Sequence, residues 1–298
     1  MSTKIPDALK AEMPQTTWGR ILLATPVVMT VVATLLAGLA SSEMTRAQYN
    51  RSLAAQQQAK AGDQWSFFQA KRLRGTMQLS TLDILKGTLA VRPLDAAGLT
   101  RFGELDAAVS AALLKGELPP VPTLAVSDAP LTSALEAVER MKPEPEIRAV
   151  LEPVTAAMVE EAIQAARDRV AAFDAVTTPI SRSVDRLEKA IAAAGPTEWV
   201  RDVTAARLRY TAARYEIEAR LNQAIANLYE LQVRLSNVAA ERHQRRSERF
   251  FLGMLAAQAA VITATFALAA RQRNILWGLA AGVGVVAIAF AVYVYLWL

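Results

Sequence analysis

Three stretches of this chain, 21–40, 250–270 and 275–298, contain no charged residue. Each is close to the roughly 20 apolar residues that an α-helix needs to cross the hydrocarbon core of a bilayer. All 33 basic and 28 acidic residues lie outside them. The mean hydropathy of +0.20 therefore averages two unlike regions, one built for lipid and one for water. The pattern predicts a short tail at 1–20, a first span at 21–41, a helical extramembrane domain at 42–249, a second span at 250–270, a basic turn at 271–274 and a third span at 275–298.

Only Arg271, Gln272, Arg273 and Asn274 separate the last two runs. So short a gap forces an antiparallel hairpin whose arginines lie in an aqueous interface. Trp277 at one end of the third run, and Tyr293, Tyr295 and Trp297 at the other, suit the interfacial aromatic belt. The first run exceeds the roughly 7–15 residues of a signal-peptide core and is expected to stay as an anchor. Lys4, Lys10, Arg20, Arg271 and Arg273 favour a cytoplasmic amino terminus and hairpin turn, with the central domain outside. Arg46 and Arg51, with Arg242, Arg245, Arg246 and Arg249, argue the reverse. The charge rule is weakest for long translocated regions, which favours the first topology.

No Asp, Glu, Lys, Arg or His interrupts the runs, whereas ion and proton carriers usually place such a group in the bilayer. Thr25, Thr30, Thr34, Thr263 and Thr265 are read as bonding back to their own helices, and Gln258 as interhelical glue. Gly278 and Gly282 form a small-x-x-x-small face, as do Gly253 and Ala257, and such faces let helices approach within the hairpin or between copies.

Between the spans no period-two pattern persists, and the fold class is all-α. Residues 42 to about 91 read as a continuation of the first span's helix, with further helices at 95–114, 131–141 and 146–194, the last strained or broken near Pro153 and Pro179. Proline-rich linkers fall near 117–130 and 143–153. Ile217, Leu221, Ala224, Leu228, Leu231, Leu235 and Val238 alternate at spacings of four and three, a heptad seam that predicts a coiled-coil-like helix. Nothing from 197 to 270 breaks helix, so that rod is expected to run into the second span. The segment leaving the first span is its expected partner. Its leucines, Leu53, Leu73, Leu79, Leu82 and Leu85, are too unevenly spaced to match the seam, which predicts that Leu228, Leu231 and Leu235 pair with further copies of the chain.

The chemical inventory is thin. There is no cysteine and one histidine, which excludes disulfides, thiol nucleophiles, thiolate metal sites and any site needing two imidazoles. His243 lies among arginines and is expected to be an exposed interfacial residue. No phosphate loop or dinucleotide turn is present. Glu160, Glu161 and Asp168, interleaved with Arg167 and Arg169, read as a solvated ion-pairing face. Arg242, Arg245, Arg246 and Arg249 suit lipid headgroups rather than nucleic acid. No catalytic residue, cofactor or metal is predicted, and an enzyme is not expected.

One cluster stands apart, Trp65-Ser66-Phe67-Phe68-Gln69-Ala70-Lys71-Arg72. Helical spacing puts Trp65, Phe68 and Arg72 on one face and Phe67 with Lys71 on the next. Core packing against the returning helix is the expected use of these rings, and a partner or ligand anchor is the alternative. This motif, following a single amino-terminal span, resembles the bacterial domain-of-unknown-function family 4337. The resemblance takes in roughly 18–92 and 225–298, including the carboxy-terminal hairpin with its basic turn. Residues from about 93 to 195 look like an insertion relative to it. It implies a bacterial inner-membrane protein and supplies no activity.

The function expected from these features is non-enzymatic: an oligomeric scaffold or assembly component acting through its helical stalk, with a periplasmic central domain. Its expected partners are lipids, other copies of itself and an unidentified protein, with no nucleic acid. A sensor or signalling accessory, or a transport accessory subunit, is the alternative.

Overall fold

The computed structural model describes residues 17–102, 106–121, 128–269 and 273–297. The tail with Lys4 and Lys10, part of the first proline linker and the turn residue Arg271 lie outside them. The described residues contain helices and no strand. They are α1 (Thr17–Thr88), α2 (Ala96–Leu99) with a 3-10 turn at Thr100–Phe102, α3 (Ala107–Ser110) passing into a π-helical turn at Ala111–Lys115, α4 (Ala129–Glu139), α5 (Glu144–Leu151), α6 (Ala156–Ala194), α7 (Thr197–Ala269) and α8 (Arg273–Trp297). α1, α7 and α8 each contain a stretch long and apolar enough to cross a membrane.

Of the two prolines expected to strain or break the long helix, only one breaks it. Pro179 lies inside α6 without ending it. An interior proline costs a helix about 3 kcal/mol. Here Phe173, Ile180 and Val184 are buried on one face of α6, and each such side chain contributes about 1.5–3 kcal/mol. Burial wins. By contrast Pro153 does separate two helices, and α6 starts afresh with the Thr155 hydroxyl accepting the Met158 amide at 3.3 Å. The helix expected over 95–114 is instead two short ones. Gly98 in α2 lies under the Trp199 ring, and a Cβ there would come within 1.8 Å of it. α3 has its own N-cap, with Asp106 accepting from Ala108.

The chain divides into two compact units, one of Met1–Leu53 with Ser236–Leu298, the other of Ala54–Leu235.

In the second unit α6 and α7 form an antiparallel pair joined through Gly195-Pro196. Glu188 meets Arg207 at 2.9 Å, Arg214 donates to the Ser181 hydroxyl at 2.6 Å, and Arg167 reaches the Tyr229 hydroxyl. α1 also runs antiparallel to α7, with Lys71 on Glu218 and Trp65 on Glu230. One apolar core joins Leu131, Ala134 and Val138 of α4, Ile147 and Leu151 of α5 and Val159 and Ile163 of α6 to Leu228 and Leu231 of α7. A second gathers Leu99, Leu113, Ile180, Val184, Ile191, Val203 and Tyr210. The seam leucines are therefore not left for other copies. Leu228 and Leu231 are 2% and 0% exposed, and Leu235 packs against the same core. The segment read as linkers and insertion supplies the cover.

In the first unit α8 runs parallel to α1 and antiparallel to α7. The Trp277 indole donates to the Thr25 hydroxyl at 3.0 Å, and Arg246 donates to the Tyr295 carbonyl at 3.1 Å. Ala33, Leu36 and Ala40 meet Phe250, Ala257, Ala287 and Val294 in a core of small side chains. Gly284 lets α8 approach Met29, whose sulfur would be 2.5 Å from an added Cβ.

A strict seven-residue repeat organises α1. Ala33, Ala40, Ala47, Ala54, Ala61, Gly75 and Leu82 are all buried, and Phe68 falls in the same register half-buried. Three positions after each come Leu36, Glu43, Asn50, Gln57, Gln64, Lys71, Gln78 and Leu85, buried or half-buried. The heptad missing from the leucines of α1 is present, written in alanine.

Candidate functional site

The aromatic motif faces the interior of the second unit. Trp65 and Phe68 meet edge to face at 5.4 Å, Arg72 covers the Phe68 ring at 5.9 Å, and the Trp65 indole donates to Glu230 at 2.6 Å. Both rings are half-buried, and it is the Trp65 indole that reaches the returning helix. Phe67 is different: it is 53% exposed.

One turn further along, Lys71 donates to Glu218, a carboxylate that is 8% exposed. Arg214 approaches the same carboxylate at 3.2 Å, and both cations lie over the Tyr215 ring, at 5.4 and 5.2 Å. Asp174 on α6 completes the group. Burial and the nearby charge of Glu218 hold its pKa above the ordinary carboxylate value, against the pull of Lys71 and Arg214. Burial also raises the Tyr210 phenol, while its contact with Ser181 opposes that. The buried carboxylate of Glu218 is thus held by two cations, with Asp174 exposed beside them.

The first unit has its own buried carboxylate. Glu43 is 8% exposed and lies 2.6 Å from His243 Nδ1, 3.6 Å from Arg46 and 3.8 Å from Arg246. His243 is accordingly drawn into the helix packing, not left as the exposed interfacial residue expected. Arg246 turns inward too, towards Glu43 and the Tyr295 carbonyl, and is not free for a lipid phosphate. Arg242 and Arg245 are exposed, Arg249 is half-buried, and Arg245 pairs with Glu241 at 3.3 Å.

Other predicted contact residues point outward. A Cβ on Gly278 or Gly282 would meet nothing within 4 Å, so this face does not pack the hairpin. The threonines of the spans bond to their own helices at 2.7–2.9 Å, as expected. On α1 the positions that the alanine repeat turns away from the core carry Leu73, Met77 and Ile84, which are 62%, 59% and 67% exposed.

Sequence reasoning singled out neither Glu43 nor Glu218. For Glu43 the signal lies in the repeat: three positions after the buried residues of α1 come mostly polar side chains, Glu43, Asn50, Gln57, Gln64, Lys71 and Gln78, a polar line beside an inward face.

The family described as Domain of unknown function (DUF4337) matches residues 22–107. That match takes in nearly all of the first run, the whole of the α1 repeat and the aromatic motif. The second part of the resemblance read from the sequence, 225–298, lies outside it. No curated protein and no solved structure matches the chain.

Proposed function

We propose that this chain is a non-enzymatic integral membrane protein, an oligomeric assembly component anchored by its three apolar helices. Its extramembrane helices offer a docking face to a helical partner. The setting proposed for it is a bacterial inner membrane, with the central domain on the periplasmic side.

The observation that carries this reading is the outer face of α1. Leu73, Met77 and Ile84 recur at spacings of four and seven on a helix whose opposite face is already packed, and each is more than half exposed. They lie well past the first apolar run, where water rather than lipid is the solvent. An apolar stripe on such a helix is the pattern by which amphipathic helices recognise one another. The polar interior, by contrast, is committed to holding α1, α6 and α7 together.

The test is a double substitution, Leu73→Glu with Ile84→Glu, in the full chain purified from native membranes. Loss of a co-purifying protein, with thermal unfolding unchanged, supports a docking role. Retention of the same companions by the variant removes it.

A further inference from the structure

We propose that two copies of this chain associate in the bilayer along the groove between α1 and α7, joined by reciprocal hydrogen bonds between their Gln258 side chains. This rests on the reading that the chain self-associates, and it specifies the face and the chemistry of the contact.

Gln258 lies eight residues beyond Phe250, about 12 Å along the helix at 1.5 Å per residue, and so inside the second apolar run. Its side chain is exposed on the surface of the first unit. The amide has no hydrogen-bond partner among the described residues. The threonine hydroxyls of the same runs are all satisfied by carbonyls of their own helices. A glutamine side chain is too long for that solution to be the default, and hydrocarbon offers it nothing. Among the described residues this polar group is left without a partner, open to one from another molecule.

The surroundings say which partner. Gln258 opens onto a groove of about 440 Å³ lined by Thr30, Ala33 and Thr34 of α1 and Ile262 of α7. The small side chains of α1 leave room for a ridge from another helix. A primary amide carries both a donor and an acceptor, so it is complementary to itself across a two-fold axis. A second copy answers the amide with no further polar group, whereas a lipid chain in the groove leaves it unpaired. The outward face of α8, with Gly278, Gly282 and Val285, carries no such polar demand.

The chain contains no cysteine, so a single introduced cysteine reports on one position alone. Ile262→Cys and Val285→Cys, 57% and 65% exposed on the two faces, are oxidised separately in native membranes with copper phenanthroline. The expected result is a disulfide-linked dimer from Ile262→Cys and monomer from Val285→Cys. Adding Gln258→Leu to Ile262→Cys should lower the cross-linked fraction about fivefold or more, while Gln258→Asn, which keeps an amide, retains most of it. Leucine is at least as compatible with the bilayer as glutamine, so insertion is preserved. Cross-linking at Val285 alone moves the contact to α8 and overturns the proposal, leaving self-association standing. Undiminished cross-linking in Gln258→Leu also overturns it. Monomer at both positions, with lipid filling the groove, overturns this contact and the self-association reading together.

Discussion

The indole nitrogen of Trp65 donates a 2.6 Å hydrogen bond to the Glu230 carboxylate, across 165 residues of sequence. It pins α1 to α7 where an aromatic motif meets the helix returning to the membrane. Hydrogen bonds to charged groups contribute more than neutral ones, about 1.5–3 kcal/mol. Trp65 is half-buried, so Trp65→Ala should cost about 2 kcal/mol, below the 3–5 typical of a fully packed ring. Trp65→Phe should recover much of the packing but not the bond. Thermal unfolding in mild detergent distinguishes the two. Equal midpoints for wild type and Trp65→Ala would contradict the structural role.

Asp174, exposed on α6, should add a small pH dependence to the stability of the second unit. Its folded-state pKa is raised, chiefly by burial and then by Glu218. Between the ordinary carboxylate value and the raised one, the folded state binds more protons than the unfolded state. Stability contributed by this group is therefore present at low pH and lost as pH rises through that window. Asp174→Asn should raise the unfolding midpoint at pH 7, and the gain should vanish below the ordinary carboxylate range. A lower midpoint at pH 7 would mean that Lys71 and Arg214 govern this carboxylate instead.

Gly98 tests the close approach of the short helices to α7. An added Cβ meets the Trp199 ring at 1.8 Å, with no flexible chain end to move aside. Gly98→Ala should destabilise the second unit by about 1–3 kcal/mol, the usual cost of overpacking. Pairing it with Trp199→Leu should return part of the loss. Additive losses in the double variant would show that the two residues do not collide.

Much of this architecture was legible in the sequence, because charge-free runs and proline breaks act locally. The α7 seam was legible too, although its partner was not. Leu228 and Leu231 are covered by α4, α5 and α6, and a seam seen in sequence carries no record of which distant segment closes it. The α1 repeat escaped notice because alanine is both an ordinary helix former and a packing residue. Only burial of Ala33, Ala40, Ala47, Ala54 and Ala61 at one spacing shows that it serves as packing here. Glu43 and His243 were hidden for the same reason: a charged residue beside a span reads as interfacial until a neighbour encloses it. Gln258 was named, but its lack of a partner is a fact of three dimensions.

Topology offers a fourth check. If the central domain is outside and the hairpin turn inside, reporter fusions at Thr123 and Asn274 should report opposite compartments. The basic residues of the tail and turn motivate this assignment. A cytoplasmic signal at Thr123 would reverse it.

The central claim is that the outer face of α1 receives a helical partner, and Met77, in the middle of the Leu73–Ile84 stripe, is the place to measure it. A photo-crosslinking amino acid at position 77 in native membranes is predicted to yield one discrete protein adduct, lost when Leu73 and Ile84 are both replaced by Glu. A probe that reacts only with water, leaving the chain free at every expression level, would contradict the account.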